Sequence, residues 1–158
     1  MIIPAGGYRC PISEETSKAV ADENGNIRSQ NDLYMDGMNV MNFALTEVPI
    51  AVNELLSFAN YKKEDIDLFA MHQPNKLILD HLAIDLEIAP EKMPVGLQTT
   101  GNTASASIPM LLSTIKERGE KFENKKNVLA CGFGMGLSVS AAILDLSECV
   151  ILNPVIEE

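Results

Sequence analysis

Between residues 36 and 60 apolar side chains return at helical spacing: Val40, Phe43 and Ala44, then Val48, Val52, Leu55, Leu56 and Ala59. Pro49 predicts a division here into a short helix and a longer one, with the proline in the first turn of the second. Residues 67–71, centred on Leu68-Phe69-Ala70-Met71, form an apolar run of buried-strand length. Residues 75–86 place Leu79, Leu82, Ala83 and Leu86 on one helical face. Residues 93–95 read as a second short strand. Residues 103–118 are helical again, closed by Gly119 as a cap, and Pro109 predicts that this helix kinks or starts late. Residues 128–133 and 137–144 read as two strands joined by the glycine turn Gly134-Met135-Gly136. This alternation predicts an α/β layer with a mostly parallel sheet and a final antiparallel hairpin.

The first 34 residues carry no such pattern. Pro4, Gly6-Gly7, Pro11 and the polar run Asp22-Glu23-Asn24-Gly25-Asn26 are turn chemistry. They read as a connecting arm, 1–34, before a domain spanning 35–158. An isolated domain rarely opens on so long an arm, so the expectation is that something precedes it. The chain has 158 residues, the length of one domain, and 46% of them are apolar, enough for a sizeable core.

A formal net charge of −10 argues against nucleic acid and against an anionic membrane surface as partners. No stretch approaches the ~20 apolar residues of a membrane span, and the first residues lack a secretory pattern. Three scattered cysteines (Cys10, Cys131, Cys149) suit no disulfide framework, so a reducing cytoplasm is the expected setting. His81 has no cysteine or acidic pair at ligand spacing, and neither metal nor cofactor is expected.

Three segments could carry chemistry. His72, in His72-Gln73-Pro74-Asn75, directly follows a buried-type strand, and the carboxyl ends of strands are where ligands gather in α/β sheets. A hydrogen-bonded turn histidine is the competing reading. The small residues from Thr99 to Ser107 let a backbone or ligand come close, although Thr100 or Asn102 could simply cap a helix. Gly132, Gly134 and Gly136 lack the following helix that a nucleotide loop needs and read as a tight turn. Cys131, inside a strand, reads as a small core residue.

Taken together, the segments resemble β-ketoacyl-acyl-carrier-protein synthase III, a condensing enzyme of the thiolase fold, over roughly residues 30–146. Met35-Asp36-Gly37 looks like the opening of that family's second half. His72-Gln73-Pro74-Asn75 looks like its histidine loop. Gly101-Asn102-Thr103 through Ser107-Ile108-Pro109 looks like its asparagine loop, and Gly132-Phe133-Gly134-Met135-Gly136 like its terminal glycine turn. The four motifs keep the family's order, with 30 positions from His72 to Asn102. The chain departs from the family at Pro74, where a small residue is usual, and at Val139-Ser140, where Trp-Gly is common. Lys76, Asp80, Asp85 and Glu87 also stand where a basic face would dock an acidic carrier.

The resemblance implies one half of a thiolase-like fold: a five-stranded mixed sheet with helices packed on it. It further implies a decarboxylative Claisen condensation of acyl thioesters, on coenzyme A or on acyl-carrier protein, of the fatty-acid or polyketide type. His72 and Asn102 would be the catalytic oxyanion pair. Asn75 would lie near the pantetheine arm, and Gly134 and Gly136 would offer backbone amides beside the nucleophile. These enzymes carry their nucleophilic cysteine in the N-terminal half, which the resemblance does not cover. The implied partners are therefore such an N-terminal half or a second copy of the chain. The alternative is a non-catalytic thiolase-fold binding or assembly subunit.

Overall fold

The structure, a computed structural model, describes residues 1–155; the last three residues of the expected 35–158 domain lie outside it. Two compact units make up the chain, residues 1–40 and residues from 41 onward. The boundary read from composition lay between 34 and 35.

The first unit has more order than its turn-rich composition suggests. Strands β1 (Val20–Ala21) and β2 (Ile27–Arg28) pair antiparallel, Val20 opposite Arg28. The loop between them is tied by Asp22, whose Oδ1 accepts the N–H groups of Asn24 and Asn26, each at 2.9 Å. Ile2 and Tyr34 exchange backbone hydrogen bonds of 2.8 Å.

Helix α1 (Gly37–Ala59) runs unbroken through Pro49, contrary to the expected division. A proline inside a helix removes one N–H and costs about 3 kcal/mol. Ala44, Val48, Val52 and Leu56 bury one continuous face across it. Each fully buried aliphatic side chain is worth ~1.5–3 kcal/mol, so the face outweighs the proline.

Next come β3 (Leu68–Met71), α2 (Lys76–Asp85), the short helix α3 (Leu97–Thr100) and α4 (Ser107–Glu117). Strands β4 (Val128–Gly134) and β5 (Ser138–Leu144) complete the order. Asn75 caps α2, its Oδ1 accepting the Ile78 N–H at 2.9 Å. Helix α4 starts late, after a 3-10 turn at Ala104–Ala106. Pro109 thus falls in the first turn, where its missing N–H would have no helical partner. Gly119 (φ +99) ends α4, with Glu120 N–H donating to Ile115 O at 2.9 Å.

The main sheet has three strands in the order β3-β4-β5, not five. Residues 93–95 form no strand. Pro94 has no donor to offer a ladder, and the Gly96 N–H goes to the side-chain Oε1 of Gln73. The fifth strand was implied by the family alone. The α/β class with a mixed sheet is as expected. β3 and β4 are parallel, Leu68 opposite Val128 through Met71 opposite Cys131, and β4 and β5 form the antiparallel hairpin, Gly134 opposite Ser138.

Strand alternation separates two apolar layers. Phe69, Met71, Leu129, Cys131 and Phe133 pack with the buried residues of α1 and α2. Leu68, Ala70 and Val128 pack with Leu111 and Ile115 of α4, Phe122 and Leu146. Among the described residues no helix is long and apolar enough to cross a membrane.

Candidate active site

His72 is the residue after β3, and its backbone N–H extends the ladder by donating to Cys131 O at 2.8 Å. Because β3 and β4 are parallel, their carboxyl ends share one edge of the sheet. Phe133 comes from the end of β4, and its ring meets the imidazole edge-on at 5.3 Å. The His72 Nδ1 shares a hydrogen bond with Ser107 Oγ at the start of α4; its polarity depends on the imidazole tautomer. His72 Nε2 has no partner among the described residues. Partial burial lowers the His72 pKa from its ordinary 6.5, so the ring is neutral at pH 7.

Gln73 anchors this corner. It is 1% exposed, and its Nε2 donates to Met71 O at 2.9 Å while its Oε1 holds the Gly96 N–H. Arg118 ties the same loop to the far end of α4, donating to Val95 O at 2.9 Å and to Thr99 Oγ1 at 3.1 Å.

Asn102 lies on the exposed loop that leads into α4. Its Oδ1 accepts the Ala104 N–H at 2.9 Å, which leaves the side-chain NH₂ as its free donor. Ala104, at φ +50, occupies the left-handed region that disfavours a Cβ, and the bond from Asn102 helps hold it there. No hydrogen bond joins His72 to Asn102. Asn75 is exposed and spends its carbonyl on the α2 cap.

Gly134 (φ +147) and Gly136 (φ +141) bound the β4–β5 turn in conformations that disfavour other residues. A Cβ on Gly136 would come within 3.0 Å of Ser138 Oγ. Sequence reasoning missed Ser107 as a partner of His72. A serine at a helix start reads as a cap, and 35 positions separate the two.

Cys131 is fully buried in β4, and burial pushes its thiol up to about 12. Cys149 is exposed and Cys10 half-buried; all three are free thiols. A groove of about 770 Å³ runs beside α2, lined among others by Leu79, Ala83, Ile88 and Met93, and none of the candidate residues lines it. Among the described residues no cluster of metal-ligating side chains occurs.

Residues 56–146 match the family described as 3-oxoacyl-[acyl-carrier-protein (ACP)] synthase III C terminal. A β-ketoacyl-[acyl-carrier-protein] synthase III of Streptococcus agalactiae is 39% identical over 115 residues, covering 72% of this chain and 36% of that protein. One from Rhodopirellula baltica is 35% identical over 143 residues, covering 90% of this chain and 39% of that protein. A crystal structure of a 3-oxoacyl-(acyl-carrier-protein) synthase III is similar with a TM-score of 0.83 and 36% identity, over 91% of this chain and 42% of that one. The Burkholderia xenovorans 3-oxoacyl-(acyl-carrier protein) synthase structure gives a TM-score of 0.77 at 32% identity, over 96% and 42% of the two chains. The chain thus spans less than half the length of these relatives.

Proposed function

Since the chain belongs to the family of 3-oxoacyl-[acyl-carrier-protein] synthase III C-terminal domains, we propose that it is the oxyanion-binding half of an acyltransferase that condenses acyl thioesters in fatty-acid-type synthesis. In that reaction a malonyl thioester loses CO₂, and the enolate left behind attacks an acyl group held on a cysteine. A carbon–carbon bond forms, and the cysteine thiolate leaves. Negative charge gathers on the malonyl thioester oxygen while CO₂ departs. His72 Nε2–H and the Asn102 NH₂ are the two uncharged donors that would meet it, each worth roughly 10²–10³-fold in rate.

The observation that carries this reading is the state of His72. It is neutral and held at the carboxyl edge of β3, with Nδ1 engaged and Nε2 free. The Asn102 amide supports it, since its oxygen is committed and its donors are not. Asn75, whose NH₂ is likewise uncommitted, would contact the pantetheine arm. Gly134 and Gly136 would set the turn beside the incoming nucleophile.

That nucleophile would come from an N-terminal thiolase-like half, and the substrates would be acyl thioesters of coenzyme A or of a carrier protein in the cytoplasm. Ser138, Ser140, Ala142 and Leu144 are exposed along β5, as are Ala104, Ser105 and Ala106 before α4. Apart from Leu144 these residues are small, which suits the close approach of a second layer, supplied by that half or by a second copy of the chain.

The test is malonyl-thioester decarboxylation by the chain combined with a cysteine-bearing N-terminal half. His72→Ala and Asn102→Ala should each lower decarboxylation by about 10²–10³-fold while largely sparing acylation of the partner's cysteine. Decarboxylation at the original rate in both variants would overturn the proposal in favour of a non-catalytic assembly subunit.

A further inference from the structure

We propose that Ser107 is a positioning residue that fixes the tautomer of His72, its hydroxyl donating to Nδ1 and leaving the single imidazole N–H on Nε2. The inference rests on the reading of His72 as a hydrogen-bond donor and names what makes it one.

Ser107 is 3% exposed, and its Oγ makes no hydrogen bond among the described residues except the one to His72 Nδ1. If Nδ1 carried the proton, it would donate to Oγ, and the buried hydroxyl proton would have no acceptor. If the hydroxyl donates, that proton is satisfied, and only the oxygen's two lone pairs go unused. Orphaned buried donors are rarer in folded proteins than under-used acceptors. The second arrangement is therefore the favoured one, and it puts the ring's own hydrogen on the nitrogen that has no protein partner.

The surrounding fold holds both groups for this bond. Ser107 N–H donates to Ala104 O, which pins the serine at the junction of the 3-10 turn and α4. No side chain caps α4 at Ala106, so the serine one residue later has its hydroxyl turned to the imidazole instead of to the helix end. Phe133, its ring plane at 86° to that of His72, limits rotation of the imidazole. Partial burial keeps that ring uncharged, the condition under which a tautomer choice exists.

Heteronuclear correlation of the histidine ring protons and nitrogens in the full isotope-labelled chain, at mildly alkaline pH, reads the tautomer directly. The exposed His81 is assigned by His81→Gln. His72 should show a protonated Nε2 and an unprotonated Nδ1. Ser107→Ala should shift it toward the Nδ1–H form or a mixture, and Ser107→Thr, which keeps the hydroxyl, should restore the original pattern. A native chain with its proton on Nδ1 would overturn the proposal without need of any variant, as would unchanged ring nitrogens in a folded Ser107→Ala. In the reconstituted enzyme Ser107→Ala should cost on the order of tenfold to a hundredfold in decarboxylation, as when other residues that orient a working histidine are removed. A full rate there would also overturn it. Because the tautomer is read without turnover, a failure of the condensing-enzyme reading shows instead as a protonated Nε2 whose loss in His72→Ala leaves decarboxylation intact.

Discussion

Burial alone lowers the His72 pKa from 6.5, and this makes the residue a source of pH-dependent stability. The unfolded chain binds the proton more readily than the folded one, so stability falls where protonation begins. The loss starts as pH drops through 6.5 and levels off below the folded value. Asp22, Asp32 and Asp145 titrate in a different window. Hydrogen bonds from Asn26, Ser29 and Ser147 respectively hold them below 3.8, so what they contribute is present above 3.8 and lost only in stronger acid. Urea midpoints measured from pH 7 to pH 5 should therefore fall more steeply for the native chain than for His72→Gln. Parallel slopes would mean that the imidazole is as free to protonate in the folded chain as outside it. His72 itself was legible because a histidine directly after an apolar strand stands where α/β sheets gather chemistry. Ser107 was not, because only the fold brings the start of α4 to the end of β3.

Helix ends show the same contrast between local signals and tertiary override. α1, α2 and α4 all close with a residue at positive φ and a following N–H that reaches five residues back: Tyr61 to Leu56 O, Ile88 to Ala83 O and Glu120 to Ile115 O, each 2.9 Å. Gly119 and Asn60 are suited to that conformation, and Gly119 was readable as a stop. Glu87, at φ +53, is not suited. A β-carbon in the left-handed region costs roughly 1–2 kcal/mol, and the extra freedom of glycine in the unfolded chain takes back about 0.4–1 kcal/mol. The Lys63–Glu87 pair, at 4.0 Å with Glu87 largely exposed, adds little to the other side. Glu87→Gly should thus raise stability by about 0.5–1 kcal/mol, seen as a higher urea midpoint with an unchanged slope. A lower midpoint would place the value of Glu87 in its side-chain contacts. The same physics explains the misread elements. Pro49 looked like a boundary because its backbone cost is local, whereas the buried stripe that overrides it comes from packing. Residues 93–95 looked like a strand because they are apolar, yet Pro94 has no N–H to give, the Met93 N–H turns back to Pro90 O, and Val95 O accepts from Arg118.

At the scale of the whole molecule, chemistry and core draw on the same sheet with opposite demands on its thiols. Covalent acyl transfer needs a thiolate within reach of the oxyanion donors. Cys131 is two residues from Phe133 and thus close in sequence to the site, but it is fully buried in the layer that packs on α1 and α2. With its thiol pushed up to about 12, roughly one molecule in 10⁵ would carry the thiolate at pH 7. Cys149 is exposed, and its Sγ lies 3.8 Å from Asp145 O. Cys10 belongs to the first unit, where its carbonyl accepts the Gly6 N–H in a tight turn. Incubation of the chain with an acyl-coenzyme A should therefore give no stoichiometric acyl adduct by intact mass. An iodoacetamide control on the folded chain should modify Cys149 and leave Cys131 untouched until urea is added. Supplying an N-terminal half should then create the adduct on that partner's cysteine. Rapid, saturable acylation of Cys10 or Cys131 in the lone chain would contradict this division of labour, since it would show a working nucleophile already present in this chain.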